Sequence, residues 1–314
     1  LFPTRQGFDY FFGTPTSNDR IANLYRNEEL LEPKTQMATL TQRYTDEAIE
    51  FIDRHKEEPF FVYVPHTMPH TRLAASQRFN GKSKRGLYGD VIEEIDHNVG
   101  RILDTVRDLQ LASNTYVIFT SDNGPWLIKN KAHADGHLPT DHGGSAGPLR
   151  SGKVSTFEGG VRVPCIVWGP GRVPAATTCK SIASTLDVLP TLASLAGAQP
   201  PQDRVIDGEN IAHLWHGEFE KANADRAFFY YLRVHLQAVR QGKWKLHLPR
   251  DKEPAGPVEF SRNQHIAKAD RIGFAEPFLV DLESDLSETT NVAKENPGVT
   301  TRLLALAQSM RRDL

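Results

Sequence analysis

Cysteine is scarce in this chain. Two residues in 314, Cys165 and Cys179, cannot make a disulfide framework. One buried thiol and one incidental thiol is the expectation, ahead of a bridge between them. An excess of charge of one sign is also missing. Lys and Arg number 37 against 39 Asp and Glu, a net of -2, which gives no electrostatic reason to expect nucleic acid or an anionic membrane as partner. No apolar run approaches the ~18–20 residues that span a bilayer. Repeats and low-complexity tracts are absent, which excludes solenoids and compositionally driven disorder. The first residue is Leu1 and no signal-peptide pattern follows it, so the chain reads as a processed, excised or partial product.

What is present suits one large α/β domain with a small appendage. Residues 1–36 read as loop, with Pro3, Gly7, Gly13, Pro15 and Pro33 around an aromatic cluster. A helix follows from Thr41 or Thr45 to about Lys56, its stripe supplied by Ala48, Ile49, Phe51 and Ile52. "PFFVYVPH" reads as a short buried strand. Tyr88 to Leu111 is the clearest helix, with Val91, Ile95, Val99, Ile102, Val106 and Leu109 recurring at three and four. "NTYVIFTSDNG" is the next strand, and a glycine-rich loop over 124–160 separates it from "VRVPCIVWGPG". Strand, helix, strand in this order predicts βαβ units and a largely parallel sheet, with ligands at the carboxyl ends of the strands. His66 and Asp122-Asn123 fall at such ends. After residue 222 the pattern changes to short strands with a turn at Gln241-Gly242, then "EPFLVDL" and a helix from Thr300 to Arg312. The predicted division is 1–222 and 223–314.

Three stretches could carry chemistry. Asp122 and Asn123 supply hard oxygen donors suited to calcium or magnesium, where zinc would call for histidine; taken alone, an ordinary Asp-Asn-Gly turn is the better explanation of them. "PHTMPH" places His66 and His70 in a Pro-bounded loop, where either could act as a general acid or be an ordinary structural histidine. "GSAGPLRSGKVSTFEGGVRVP" surrounds Arg150, Lys153 and Arg162 with glycines. It lacks the GxxxxGK[ST] of a P-loop, and it suits an oxyanion such as sulfate or phosphate, or else is a solvated basic loop.

Taken in order, "GFDYFFGTPTSND", "HTMPH", "RGLYGDVIEEIDHNVGRIL", "VIFTSDNGPW", "SAGPLRSGK", "TFEGGVRVP" and "GKWKLH" resemble type I sulfatases of the arylsulfatase family over nearly the whole chain. The resemblance implies an α/β, alkaline-phosphatase-like mixed sheet between helices, with a small C-terminal antiparallel sheet plus helix. It implies sulfuric ester hydrolysis of aryl or carbohydrate sulfates, with calcium bound by Asp122 and Asn123. It further implies that Lys153 contacts the sulfate, that His70 assists the leaving group, and that Ser17 lines the substrate pocket. Val154 departs from the glycine that often follows the loop lysine, which is expected to adjust the loop without removing the contact.

A larger departure concerns the nucleophile. The family makes a formylglycine from the first residue of C/S-x-P/A-x-R, and neither Cys165 nor Cys179 fits. In "SAGPLR" Pro148 and Arg150 come one position too late. The aspartate pair that completes the calcium site and the GKWHLG-type motif are absent as well. The resemblance therefore implies a C-terminal two-thirds, with the formylglycine upstream of Leu1, half of the calcium ligands elsewhere, and no activity alone. It also implies a sulfated small molecule or glycan as partner, and a secreted, periplasmic or lysosomal location. Two alternatives stand beside it: a non-catalytic remnant that keeps a sulfate- or glycan-binding pocket, and a metal-dependent phosphatase or phosphodiesterase, which would commonly present a zinc-binding histidine at Asn123. The isolated chain is expected to be poorly soluble or to self-associate through exposed strand edges.

Overall fold

The computed structural model describes residues 2–18, 22–127, 143–250 and 273–312. They fall into two compact units, one of residues up to Thr115 with Gly143, the other from Tyr116 and from Gly144 onward.

The first unit opens with a three-stranded antiparallel meander, β1 (Phe12–Gly13), β2 (Leu24–Arg26) and β3 (Glu29–Glu32). Asn27 makes the β2–β3 turn in the left-handed region, φ 53°, which asparagine tolerates. Its backbone N–H donates to the Phe11 carbonyl at 2.7 Å, and its Oδ1 accepts from the Phe11 N–H at 3.0 Å. The expected loop over 1–36 is thus partly sheet, because strands of two to four residues are too short to show a period of two.

Helix α1 (Leu40–Arg54) buries Leu40, Tyr44, Ala48 and Ile52, four apart and so on one face. It packs along α2 (Gly86–Asp108), whose Val91 and Ile95 join Met68 and Ala75 in a small core. Both predicted helices are present with ends shifted by a few residues. On α2 a second stripe, Asp90, Glu94 and Asn98, is polar and fully enclosed. Asp90 accepts the backbone N–H groups of Gly81, Lys82 and Ser83 at 2.8, 3.0 and 2.7 Å. Burial raises its pKa, and those three donors more than reverse that, leaving it below the ordinary value. "PFFVYVPH" does not form the expected buried strand. It pairs with no strand among the described residues, and Phe61 and Tyr63 are 59% and 66% exposed. Strand-like composition without a partner yields only an irregular segment.

In the second unit β4 (Val117–Thr120) pairs with β5 (Cys165–Trp168), from Val117↔Trp168 to Thr120↔Cys165. The pairing is antiparallel, as is every strand pair among the described residues, so the largely parallel arrangement is corrected here. Hydrophobic periodicity reports which face is buried and not which way the neighbouring strand runs. Ile118 and Val167 pack on Ile211, Leu214 and Trp215, the last two from α5 (Ala212–Trp215). Cys165 and Cys179 are both free and exposed, which corrects the expected buried thiol; among the described residues β5 has only one neighbouring strand to cover it.

Helix α3 (Glu158–Val161) is a single turn, and α4 (Val188–Leu195) follows a 3-10 turn, Thr185–Asp187, that opens with a capping box made by Ser184 and Asp187. Asp187, fully buried, also takes Arg226 side-on at 2.9 and 2.6 Å, tying α4 to the start of the C-terminal sheet. That sheet is antiparallel, in the order β6 (Ala227–Leu232), β7 (His235–Gln241), β8 (Trp244–His247), β9 (Phe278–Asp281). Helix α6 (Pro297–Arg312) covers one face, with Leu303 and Ala307 against Leu236, Val239, Leu246 and Leu279.

Candidate active site

β4 ends at Thr120, and the chain turns through Ser121-Asp122-Asn123-Gly124. The Ser121 hydroxyl donates to the Asn123 carbonyl at 3.0 Å, and Asn123 Nδ2 donates to the Gly124 carbonyl at 3.0 Å. This leaves the Asn123 Oδ1 as a free oxygen donor among the described residues, beside the exposed Asp122 carboxylate. The turn is laced to the glycine-rich loop. Gly124 N–H donates to the Gly160 carbonyl at 3.0 Å, and Lys153 N–H to the Pro125 carbonyl at 2.9 Å. A Cβ on Gly124 would meet the Gly159 carbonyl oxygen at 1.8 Å, so no other residue permits this approach.

The loop's three cations have different environments. Arg150 donates to the Glu288 carbonyl at 2.8 Å and lies over the Phe157 ring at 4.0 Å. Arg162 sits 3.6 Å from the buried Glu158 carboxylate. Lys153 is half-buried, and its ammonium lies 5.9 Å from the Trp126 ring centroid. Both arginines thus face internal groups, Arg162 with its side chain still 49% exposed, and among the described residues the Lys153 ammonium has no carboxylate or carbonyl partner. The loop around it is strained: Ser151 and Val154 have φ of 66° and 73°. A β-branched residue there costs on the order of 1 kcal/mol or more. Val154 occupies a glycine-like backbone conformation, which accounts for the glycine expected at this place.

Among the described residues no cluster of three or more His, Cys, Asp or Glu side chains could hold a metal by itself. Calcium takes six to eight oxygens, so Asp122 and Asn123 fit as part of such a set, with donors of the right hardness.

In the first unit, His70 is exposed and His66 is not. His66 is pushed down to about 4 by burial, and its enclosed Nδ1 has no partner among the described residues. It is therefore neutral over the physiological range. His70 Nδ1 lies 2.9 Å from Asn18 Oδ1 and 2.5 Å from the Thr71 carbonyl. Asn18 is buried, and its Nδ2 donates to the His70 and Arg72 carbonyls at 3.0 and 3.3 Å. Those two bonds fix which end of the amide is oxygen. Both groups facing His70 Nδ1 are then acceptors, so Nδ1 carries the proton and Nε2 is left for chemistry.

A family model described as Sulfatase matches residues 2–198, and one for the C-terminal region of aryl-sulfatase matches 223–314. The chain belongs to the sulfatase family. N-acetylgalactosamine-6-sulfatase of the dog is 40% identical over 264 residues, 78% of this chain and 48% of that protein. Human steryl-sulfatase is 39% identical over 217 residues, 69% of this chain and 36% of the other. A solved structure from work on the metabolism of multiple glycosaminoglycans by Bacteroides thetaiotaomicron is 30% identical with a TM-score of 0.74. It covers 98% of this chain and 62% of that one. The fold is the alkaline-phosphatase-like one of this family. The chain spans about half the length of the N-acetylgalactosamine-6-sulfatases it matches.

For this sulfatase-family chain, the structure brings Asp122, Asn123 and Lys153 onto one hydrogen-bonded scaffold in the second unit. Ser17 and His70 lie in the first. Ser17 is exposed and its neighbour Asn18, not Ser17, bonds His70. Asn18 has no local signal in the sequence beyond its place in "TSND", because its partners lie 52 and 54 residues away.

Proposed function

We propose that the protein is a sulfuric ester hydrolase acting on carbohydrate or aryl sulfates. The carrying observation is the lacing of the Lys153 loop onto the Asp122-Asn123 turn through the Pro125 and Gly160 carbonyls. It sets an ammonium that has no carboxylate partner among the described residues and two hard oxygen donors on one hydrogen-bonded scaffold, as an anionic ester needs. Lys153 holds a sulfuryl oxygen and is worth most where charge grows in the transition state. His70, with its Nδ1–H held by Asn18 and Thr71, serves as the imidazolium, whose Nε2–H passes to the departing oxygen and leaves the neutral ring. Asp122 and Asn123 hold calcium together with ligands from outside this chain. When bound, that ion supplies further positive charge to the sulfuryl oxygens. The nucleophile is a formylglycine that no residue of this chain provides.

The relatives' names favour a sugar sulfate: a galactosamine 6-sulfate stands as first substrate, a steryl sulfate as second. No helix among the described residues is long and apolar enough to cross a membrane. A secreted, periplasmic or lysosomal location fits the family.

The test is ion-chromatographic measurement of sulfate released by the full-length protein from N-acetylgalactosamine 6-sulfate, 4-nitrophenyl sulfate and a steryl sulfate, with and without a calcium chelator. Release that the chelator abolishes is expected, with none from the 314-residue chain alone. No sulfate from any ester, with zinc-dependent release of phosphate from a phosphate ester, would overturn the proposal.

A further inference from the structure

Five residues beyond Lys153 the loop runs into charges sealed from water. Glu158, Lys245, Glu288 and His247 are each at most 1% exposed. Lys245 Nζ stands 2.9 Å from Glu158 Oε1 and 3.1 Å from Glu288 Oε1. His247 Nε2 is 2.8 Å from the same Glu288 oxygen, and the other Glu288 oxygen accepts the Glu158 backbone N–H at 2.5 Å. Arg240 adds a second cation 3.5 Å from Glu158 Oε2. At the far end of the loop, Arg150 donates to the Glu288 carbonyl at 2.8 Å. Residue 288 therefore grips the loop twice, at 150 and at 158, with Lys153 between.

Between these two grips lie the left-handed Ser151 and Val154. A backbone in that state relaxes unless its surroundings over-determine it. Replacing ions like these with apolar side chains often leaves a fold as stable or more so, which makes stability alone a weak reason for their presence.

We propose that Glu288, with Lys245 and Glu158, is a positioning device for Lys153: the C-terminal sheet clamps the loop so that the ammonium meets the sulfuryl group. The inference rests on the sulfuric ester reading and assigns a job to the C-terminal sheet within it.

Glu288→Gln in the full-length protein is the test. Either amide orientation turns an NH2 toward a donor, Lys245 and His247 on one side or the Glu158 N–H on the other. The expected result is a fall in kcat on 4-nitrophenyl sulfate of about ten- to a hundredfold, as a misplaced group produces. In a Lys153→Ala background the same substitution changes kcat by less than about twofold, because the group it positions is gone. Amide hydrogen exchange over 151–155 speeds up in both backgrounds. Glu288→Asp, too short to reach both sides, shows the same pattern more weakly and serves if the glutamine variant does not fold. Equal losses with and without Lys153, or unchanged exchange over 151–155, would overturn the clamp. If the wild type releases no sulfate while Glu288→Gln still loosens 151–155, the sulfuric ester reading falls and the clamp on the loop stands.

Discussion

At the scale of single residues, the roles rest on short chains of hydrogen bonds. Asn18, together with the Thr71 carbonyl, orients His70, because its amide nitrogen is committed to the His70 and Arg72 carbonyls and its oxygen faces Nδ1. Asn18→Ala is expected to lower kcat/KM of the full-length enzyme about tenfold, since the ring loses one of the two acceptors that orient it. A kcat/KM equal to the wild-type value would rule this role out. Gly124 is the other decisive position. Adding a methyl group drives it into the Gly159 carbonyl, so Gly124→Ala should separate the two loops, lowering stability by about 2 kcal/mol and activity with it. Denaturant melts and turnover measured on one preparation check this; wild-type values in both would contradict it. Asp122, Asn123, Lys153 and His70 stand out in the sequence because they sit within motifs. Asn18 does not, since its effect depends on a contact that no local pattern encodes.

At the scale of elements, periodicity served the helices and the C-terminal strands well and failed elsewhere for identifiable reasons. α1 and α2 carry full stripes over four or more turns, and the β6 to β8 strands are separated by clear turn residues, including Gly242 at φ 57°. In "WKLH" of β8 the polar Lys245 and His247 alternate with Trp244 and Leu246. All but Trp244 is buried, because α6 covers one face and the Glu158 loop the other. "PFFVYVPH" shows the converse, strand-like residues with no strand to join. The buried cluster makes this sheet sensitive to acid. His247 is pushed down to about 4, chiefly by burial and also by Lys245 and Arg250, against the opposing pull of Glu288; the Glu288 carboxyl, which burial would raise, is held low by His247 and Lys245. An unfolded histidine titrates near 6.5 and binds its proton first, so the stability tied to neutral His247 is complete above about 6.5 and drains away as pH falls toward about 4. Glu288, with its folded pKa depressed, loses its contribution in the same direction, as pH falls through the carboxylate range. Thermal melts between pH 7 and 4 should show a falling Tm, with a shallower slope in His247→Gln. A Tm that is flat or rises on acidification would refute this.

At the scale of the molecule, the described surface carries apolar groups that a stable monomer seldom leaves open. On β4 and β5 the cross-strand pair Phe119 and Ile166 is 41% and 60% exposed. In the other unit Phe61 and Tyr63 are more than half exposed. Paired exposed side chains on a two-stranded sheet with open edges favour association. The 314-residue chain by itself is therefore expected to scatter light as oligomers at micromolar concentration, and a monodisperse monomer would contradict that expectation. Membership of the sulfatase family was readable because its motifs are strung in order along the chain. The long-range ties that hold them, Gly124 to Gly160 and Glu288 to both ends of the Lys153 loop, were not, since pairs 36 to 138 residues apart leave no local trace. In the proposed reaction Lys153 is the cation that meets the sulfuryl group. The most direct measurement is the rate of sulfate release by full-length Lys153→Ala beside the wild type, with melting curves on the same samples. The expected result is a loss in kcat/KM of about a hundredfold or more with Tm little changed. Wild-type turnover in Lys153→Ala would contradict it.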